Sequence, residues 1–392
     1  MKYWALLLWC GLAGLSTVQA QSLSTFVVTD TTDAPDVSPG DGQCANSSNR
    51  CTLRGAIMEA NALAQSDPSR EFVIQLRAGT YVLRLGTTQE EYNSGIWRYI
   101  YIGGSDSTDA AYDDLDIAAH VTIVGAGRDS TIIESCDEFD SESYTVTNCT
   151  FRPFEVLPSA SLKLEMMKVM GAFVERGGVV FVHGGATFTL EGVSMESGRA
   201  DYGGQIYNEG TVTILGSILY DPYADEDGGA IYNTGTLIVE NSTFYSGEAD
   251  YDGGAIYNRG TVTVTNSTFE DNEAGDDGGA IYNAGILSVN TSTFTDNSAD
   301  NDGGAILNDY SVTAEIADSR FENNDAYYGG GAIANYGSLT IAKSLFRANW
   351  AEDYGGAVYD DGQTIIVRSA FLNNEASPDD GGYGGAIYGS RW

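Results

Sequence analysis

The sequence predicts an all-β protein, a parallel β-helix in which single strands stack as a solenoid of about 25 residues per coil. Three observations predict it. The stretch GGAIYNRGTVTVTNSTFEDN at Gly253–Asn272 recurs, with its leading glycine at Gly203, Gly228, Gly253, Gly278, Gly303, Gly330, Gly355 and Gly384. Those positions are 25, 25, 25, 25, 27, 25 and 29 residues apart, and a fixed period in this range marks a stacked array. Within each repeat the apolar residues alternate, which is the strand period and not the helical one. Gly-Gly and Asn then fall where a chain must turn a corner.

The repeat assigns its own interior. The first strand carries Ile206, Ile231, Ile256, Ile281, Ile306, Ile333, Val358 and Ile387 at one position, and the second carries pairs such as Val262/Val264 and Leu287/Val289. A third apolar position is Phe244, Phe269, Phe294, Phe321, Phe346 or Phe371, and a fourth is always Ala, from Ala200 to Ala376. Coils pairing in register at about 4.8 Å turn such columns into ladders. One coil cannot bury its apolar face alone, so stability is a sum over neighbours. Three short strands per coil suit the period. A leucine-rich repeat would need a leucine pattern and a helical segment, and neither is present.

Taken in order, residues 1–20 (MKYWALLLWCGLAGLSTVQA) read as a secretory signal cleaved near Gln21; the run is too short to span a membrane, and no later stretch is apolar enough to do so. Residues 21–85 hold a strand near Phe26–Thr29, a Gly/Asp/Ser loop, one helix at Thr52–Ala64 with Thr52 as N-cap, and first coil strands at Phe72–Leu76 and Thr80–Leu85. That helix would cover the open end of the solenoid and protect an edge that otherwise invites aggregation. Residues 86–176 are irregular: 86–117 leave the stack as an excursion with Trp97, Tyr99 and Tyr101, coils resume at His120–Gly125, Thr131–Glu134, Phe154–Val156 and Leu162–Met166, and a second acidic loop lies between Cys136 and Cys149. Residues 177–392 are the regular repeats. The last stops part-way through a coil, an end that self-association or a partner is expected to close.

Cleavage leaves Cys44, Cys51, Cys136 and Cys149, an even number in an exported chain, so two disulfides are expected. Three connectivities are open; the short-range pairs Cys44–Cys51 and Cys136–Cys149 are preferred. The formal charge of −36 argues against nucleic acid or anionic lipid as a partner. It suits a secreted, extracellular or cell-surface protein.

Two sets of residues in this pattern resemble known families. Cys51–Asn61, CTLRGAIMEAN, is similar to the Cys-Ser-Leu-Arg-Glu-Ala motif near the N-terminus of a group of secreted bacterial proteins, departing at Thr52 and Gly55. The GGAIYN…NSTF repeats resemble those of chlamydial polymorphic outer-membrane proteins and related β-helix proteins. The resemblance covers nearly all of residues 26–392 and implies a right-handed, pectate-lyase-like β-helix. That fold hosts lyases, hydrolases and adhesins, so function must come from the site.

Two columns are candidate sites. Asp227, Asp252, Asp277 and Asp302 precede the glycine pair in one register, with Asp225, Asp250, Asp276 and Asp300 close by. Stacking brings these carboxylates to about 5 Å, where repulsion demands water or cations. Hard oxygen ligands make this a candidate calcium (Ca2+) edge; a solvated acidic face that prevents self-pairing is the competing reading. Tyr207, Tyr232, Tyr257, Tyr282, Tyr359 and Tyr388 share a position next to the inward Ile, interrupted by Leu307 and Ala334. They should face outward as a platform for sugar rings or partner side chains, or serve only to stabilise the sheet.

Catalytic motifs are lacking. His120 and His183 fall in strand regions with no matching Ser or Cys motif, and Arg152, Lys163, Lys168 and Arg176 are the nearest approach to a basic group. The sequence therefore favours a non-catalytic, adhesin-like protein that binds carbohydrate or extracellular partners. The rivals are a polysaccharide lyase or glycoside hydrolase and a structural, self-stacking surface protein. Insertions at Asp309–Ser311 and Ser377–Gly382 fall on loops, where repeat proteins place their binding faces.

Overall fold

The structure is a computed structural model and describes residues 23–83, 88–93, 96–101, 114–135, 138–140, 145–147, 152–377 and 383–389. The signal segment, Cys136, Cys149 and most of the Ser377–Gly382 insertion lie outside the described residues.

The chain forms a right-handed parallel β-helix, and every stacked pair is in register one period apart. Each regular coil has four strands, not three. In the coil beginning at Gly253 these are Ile256–Asn258, Thr261–Thr265, Thr268–Glu270 and Glu273–Ala274. The fourth is only two residues long, too short for an alternating pattern to reveal it. It carries the Ala column, which points inward and is buried from Ala200 to Ala376. The first-, second-, third- and fourth-strand sheets contain 11, 12, 11 and 9 strands.

The interior follows the expected columns. Phe244, Phe269, Phe294, Phe321, Phe346 and Phe371 stack with ring centroids 4.7–4.8 Å apart. Each ring fully buried contributes roughly 1.5–3 kcal/mol. The corners explain the glycine pair. Gly253 has φ +70, and a Cβ on Gly254 would lie 2.2 Å from the Gly279 carbonyl oxygen, so the first glycine meets a conformational demand and the second a steric one. Two other corners use left-handed Asn and Asp, as at Asn266 and Asp271.

Asn side chains close two corners. Asn208, Asn233, Asn258, Asn283, Asn308 and Asn335 are fully buried, and each Nδ2 donates to the next Oδ1 at 2.7–2.8 Å. A second column, Asn272, Asn297, Asn324 and Asn349, does the same at 2.8–2.9 Å. A Ser column from Ser217 to Ser344 accepts one backbone N–H per coil.

The helix Leu53–Ala64 is capped by Thr52, which accepts from the Gly55 N–H. Its motif residues tie the preceding loop and the first coils together. Cys51 is bonded to Cys44. Arg54 forms a fully buried two-pronged pair with Asp33 at 2.7 and 3.0 Å. Glu59 accepts from the Gly40 and Gly42 N–H groups, and Asn61 clamps Asp116 and Ala118. The helix packs on the first coils as a cap. Both irregular stretches contain antiparallel hairpins, Thr88–Asn93 with Ile96–Tyr101 and Glu138–Asp140 with Thr145–Thr147.

Candidate functional site

The tyrosine column and the aspartate column, which the sequence treats as separate sites, form one face. The Tyr residues lie at the middle of the first strand, and the Asp residues lie at the corner that precedes it. Tyr207, Tyr232, Tyr257 and Tyr282 stack nearly parallel at 4.9–5.1 Å. Their rings lean along the surface and do not stand free of it. Tyr232 is 7% exposed, and the others are half-buried. Burial raises the phenol pKa of Tyr257 and Tyr282, with Asp227 and Asp252 adding to it at Tyr257, and Asp309 and Asp252 at Tyr282.

The break at Leu307 and Ala334 divides the rings into two runs, and the second begins on the side of the first strand. The two-residue insertion brings Tyr310 to 4.9 Å from the ring of Tyr336. Tyr336 in turn lies 5.7 Å from Tyr359 and donates its hydroxyl to Asp302 at 2.6 Å. Tyr359 then stacks on Tyr388 at 5.9 Å. The aromatic strip thus has two segments, Tyr207 to Tyr282 and Tyr310 through Tyr336 and Tyr359 to Tyr388.

Each aspartate of the column accepts the backbone N–H of the next. Asp227, Asp252 and Asp277 bind the amides of Asp252, Asp277 and Asp302 at 3.4, 3.2 and 3.0 Å. Burial pushes the Asp227 carboxyl up to about 6, Asp252 to about 8 and Asp277 to about 7. Repulsion between neighbours adds to it, most at Asp252, which has a carboxylate on either side. Asp302 is raised by burial as well.

Register extends both columns beyond what the repeats reveal. The corner column reads Arg176, Tyr202, Asp227, Asp252, Asp277, Asp302, Gly329, Tyr354 and Tyr383. The strip column reads Asp116, Glu155, Phe181, Tyr207 and onward. Its N-terminal end is a polar cluster that sequence reasoning missed, because the repeat is unrecognisable there. Oxygens of Asp114, Asp116 and Glu155 converge within 4.8 Å of one another, a set of hard donors able to hold a divalent cation. Arg152 pairs with Asp114 at 2.9 Å and Glu155 at 3.4 Å and lies over the Phe181 ring at 5.3 Å. His183 pairs with Glu155 and stacks on Phe181 at 4.2 Å. Burial raises the Glu155 pKa against the pull of Arg152.

The other basic residues of the sequence grouping separate. Lys163 is on the second-strand sheet with Glu165 and Glu191, Lys168 pairs with Glu196 on the third, and His120 bonds Ser161 at 2.9 Å. Among the described residues no helix is long and apolar enough to cross a membrane.

The family comparisons agree with the fold. Residues 132–316 match the family model of the right handed beta helix region. Residues 368–390 match the Chlamydia polymorphic membrane protein repeat. No curated protein matches. Among solved structures, the chain is similar to a rhamnogalacturonan lyase at 14% identity and a TM-score of 0.40, over 90% of this chain and 88% of that one. It is similar to a pectate lyase at 13% identity and a TM-score of 0.40, over 89% and 79%. Likeness at this level does not extend to chemistry.

Proposed function

We propose that this protein is a secreted or cell-surface, non-catalytic β-helix whose aromatic strip binds carbohydrate or an extracellular partner. The observation that carries this reading is the row of tyrosine rings, in two runs, along the first-strand face. Stacked tyrosines at a coil spacing present a row of ring edges, a surface on which sugar rings and apolar side chains settle. Tyr310 and Tyr336 supply rings beside the two coils that lack a tyrosine in the column and lead on to Tyr359. The polymorphic membrane protein repeat supports a surface location.

A second reading, a polysaccharide lyase or hydrolase, has one observation behind it: the convergence of Asp114, Asp116 and Glu155 beside Arg152. All three carboxylates are buried, and Arg152 is held by two of them, which suits a structural knot better than a group that must meet substrate. The test is a polysaccharide panel on the purified protein with calcium, scoring retention and released product together. Retention without product is expected; product release would replace this reading with the second.

A further inference from the structure

Resting on that reading, we infer that the N-terminal end of the strip, at Tyr207 and Tyr232, is a seat for a single anionic group carried on a saccharide that is otherwise neutral. The protein has 19 Lys and Arg against 55 Asp and Glu, and two of its arginines lie against this end of the strip. Arg176 lies over the Tyr207 ring at 5.3 Å. Its one acidic neighbour among the described residues is the exposed Glu175, at 3.4 Å. Arg259 is exposed, reaches the Tyr232 hydroxyl at 3.5 Å, and forms no ion pair among the described residues. The other nearby arginines are locked: Arg152 by Asp114 and Glu155, and Arg199 by Asp225.

The two guanidinium groups flank the strip from opposite margins, Arg176 paired with the exposed Glu175 and Arg259 attracted by Asp227. Arg176 precedes the corner glycine Gly177, and Arg259 follows Asn258 at the far end of the first strand. A sugar ring against the edge of the half-buried Tyr207 would therefore present a substituent to Arg176, with Arg259 beside Tyr232 on the far margin. Guanidinium geometry suits a carboxylate or a sulfate, which it can bind through two parallel N–H bonds.

The same margin changes sign along the strip. Arg176 occupies the column that two coils later becomes Asp227, Asp252, Asp277 and Asp302. An anion is welcome at the first position and, above about pH 8 where these aspartates are ionised, repelled at the later ones. A polyanion laid along the strip would meet the aspartate column, whereas a chain with one charged residue can place it at Arg176 and run its neutral remainder over Tyr257 and Tyr282. The arrangement thus selects both one charge and one direction of binding.

The test uses the mature protein and matched oligosaccharides: lactose, sialyllactose (carboxylate), lactose sulfate, and a galacturonate oligomer as polyanion, with affinity measured by calorimetry. At least one singly charged form is expected to bind about tenfold or more tighter than lactose, and the stronger of the two identifies carboxylate or sulfate as the anion. The galacturonate oligomer is expected to bind more weakly than either. The double variant Arg176→Gln/Arg259→Gln, with its melt checked against wild type, should erase the preference of the charged sugars over lactose. Equal affinity for lactose and both charged forms, or a preference that survives the double variant, would overturn this inference alone. Absence of binding by every sugar would overturn the saccharide strip and this inference together.

Discussion

Two columns run side by side through the regular coils, one of asparagine and one of aspartate, and they differ by a single atom per residue. The column from Asn208 to Asn335 is buried and self-complementary, because each amide offers a donor to one neighbour and an acceptor to the other. The column from Asp227 to Asp302 has no donors when ionised, so it borrows backbone N–H groups and leaves its carboxylates to repel. The first column is what a coil needs in order to stack. The second is more costly than stacking requires, and it lies against the aromatic strip. Where a repetitive fold departs from its cheapest solution, the departure points to the working face.

The largest test of this comparison moves a charge into the asparagine column. Asn283→Asp should lower unfolding free energy by about 3 kcal/mol in urea at pH 8, with much of the loss recovered near pH 4, where the new side chain protonates. An unchanged midpoint at pH 8 would mean that the two columns are not the distinct environments described. The reverse exchange, Asp252→Asn, should stabilise the protein at pH 8 by on the order of 1 kcal/mol, since it removes repulsion that solvent only partly screens.

A smaller effect is the pH dependence of the wild type. Asp227, Asp252 and Asp277 hold their protons more tightly folded than unfolded, with folded values of about 6, 8 and 7 against an ordinary 3.8. Between those limits the folded state binds more protons, so its stability falls as pH rises from about 4 to about 8. The melting temperature should drop across that window, and the drop should be shallower in Asp252→Asn/Asp277→Asn. Smallest of all is calcium. If the aspartate column or the Asp114–Asp116–Glu155 cluster takes the ion, millimolar calcium should raise the melt and chelator should reverse it; the Asp252→Asn/Asp277→Asn variant tells the two apart.

The regular half of the fold was legible in sequence because each coil repeats its reasons: Ile256 and Ile281, or Phe269 and Phe294, are the same position met again. The fourth strand was not, since Glu273–Ala274 is too short to show a period. The tyrosine and aspartate columns were visible one at a time. Their union into one face depends on how Tyr257 leans over the corner, which spacing does not encode. The cluster at Asp114, Asp116, Glu155 and His183 was hidden because the coils that build it lack the glycine pair, and only strand register aligns Asp116 with Glu155. Arg176 was grouped with Lys163 by proximity in sequence, but their strands belong to different sheets.

The most direct test of the central claim is retention on a bound polysaccharide by wild type and by Tyr232→Ala/Tyr257→Ala, with both melts recorded. The double change removes the middle of the strip and touches no corner ladder. Loss of retention with a melt that remains cooperative is the predicted result. Retention equal to wild type would contradict the account and return the tyrosines to a purely structural role.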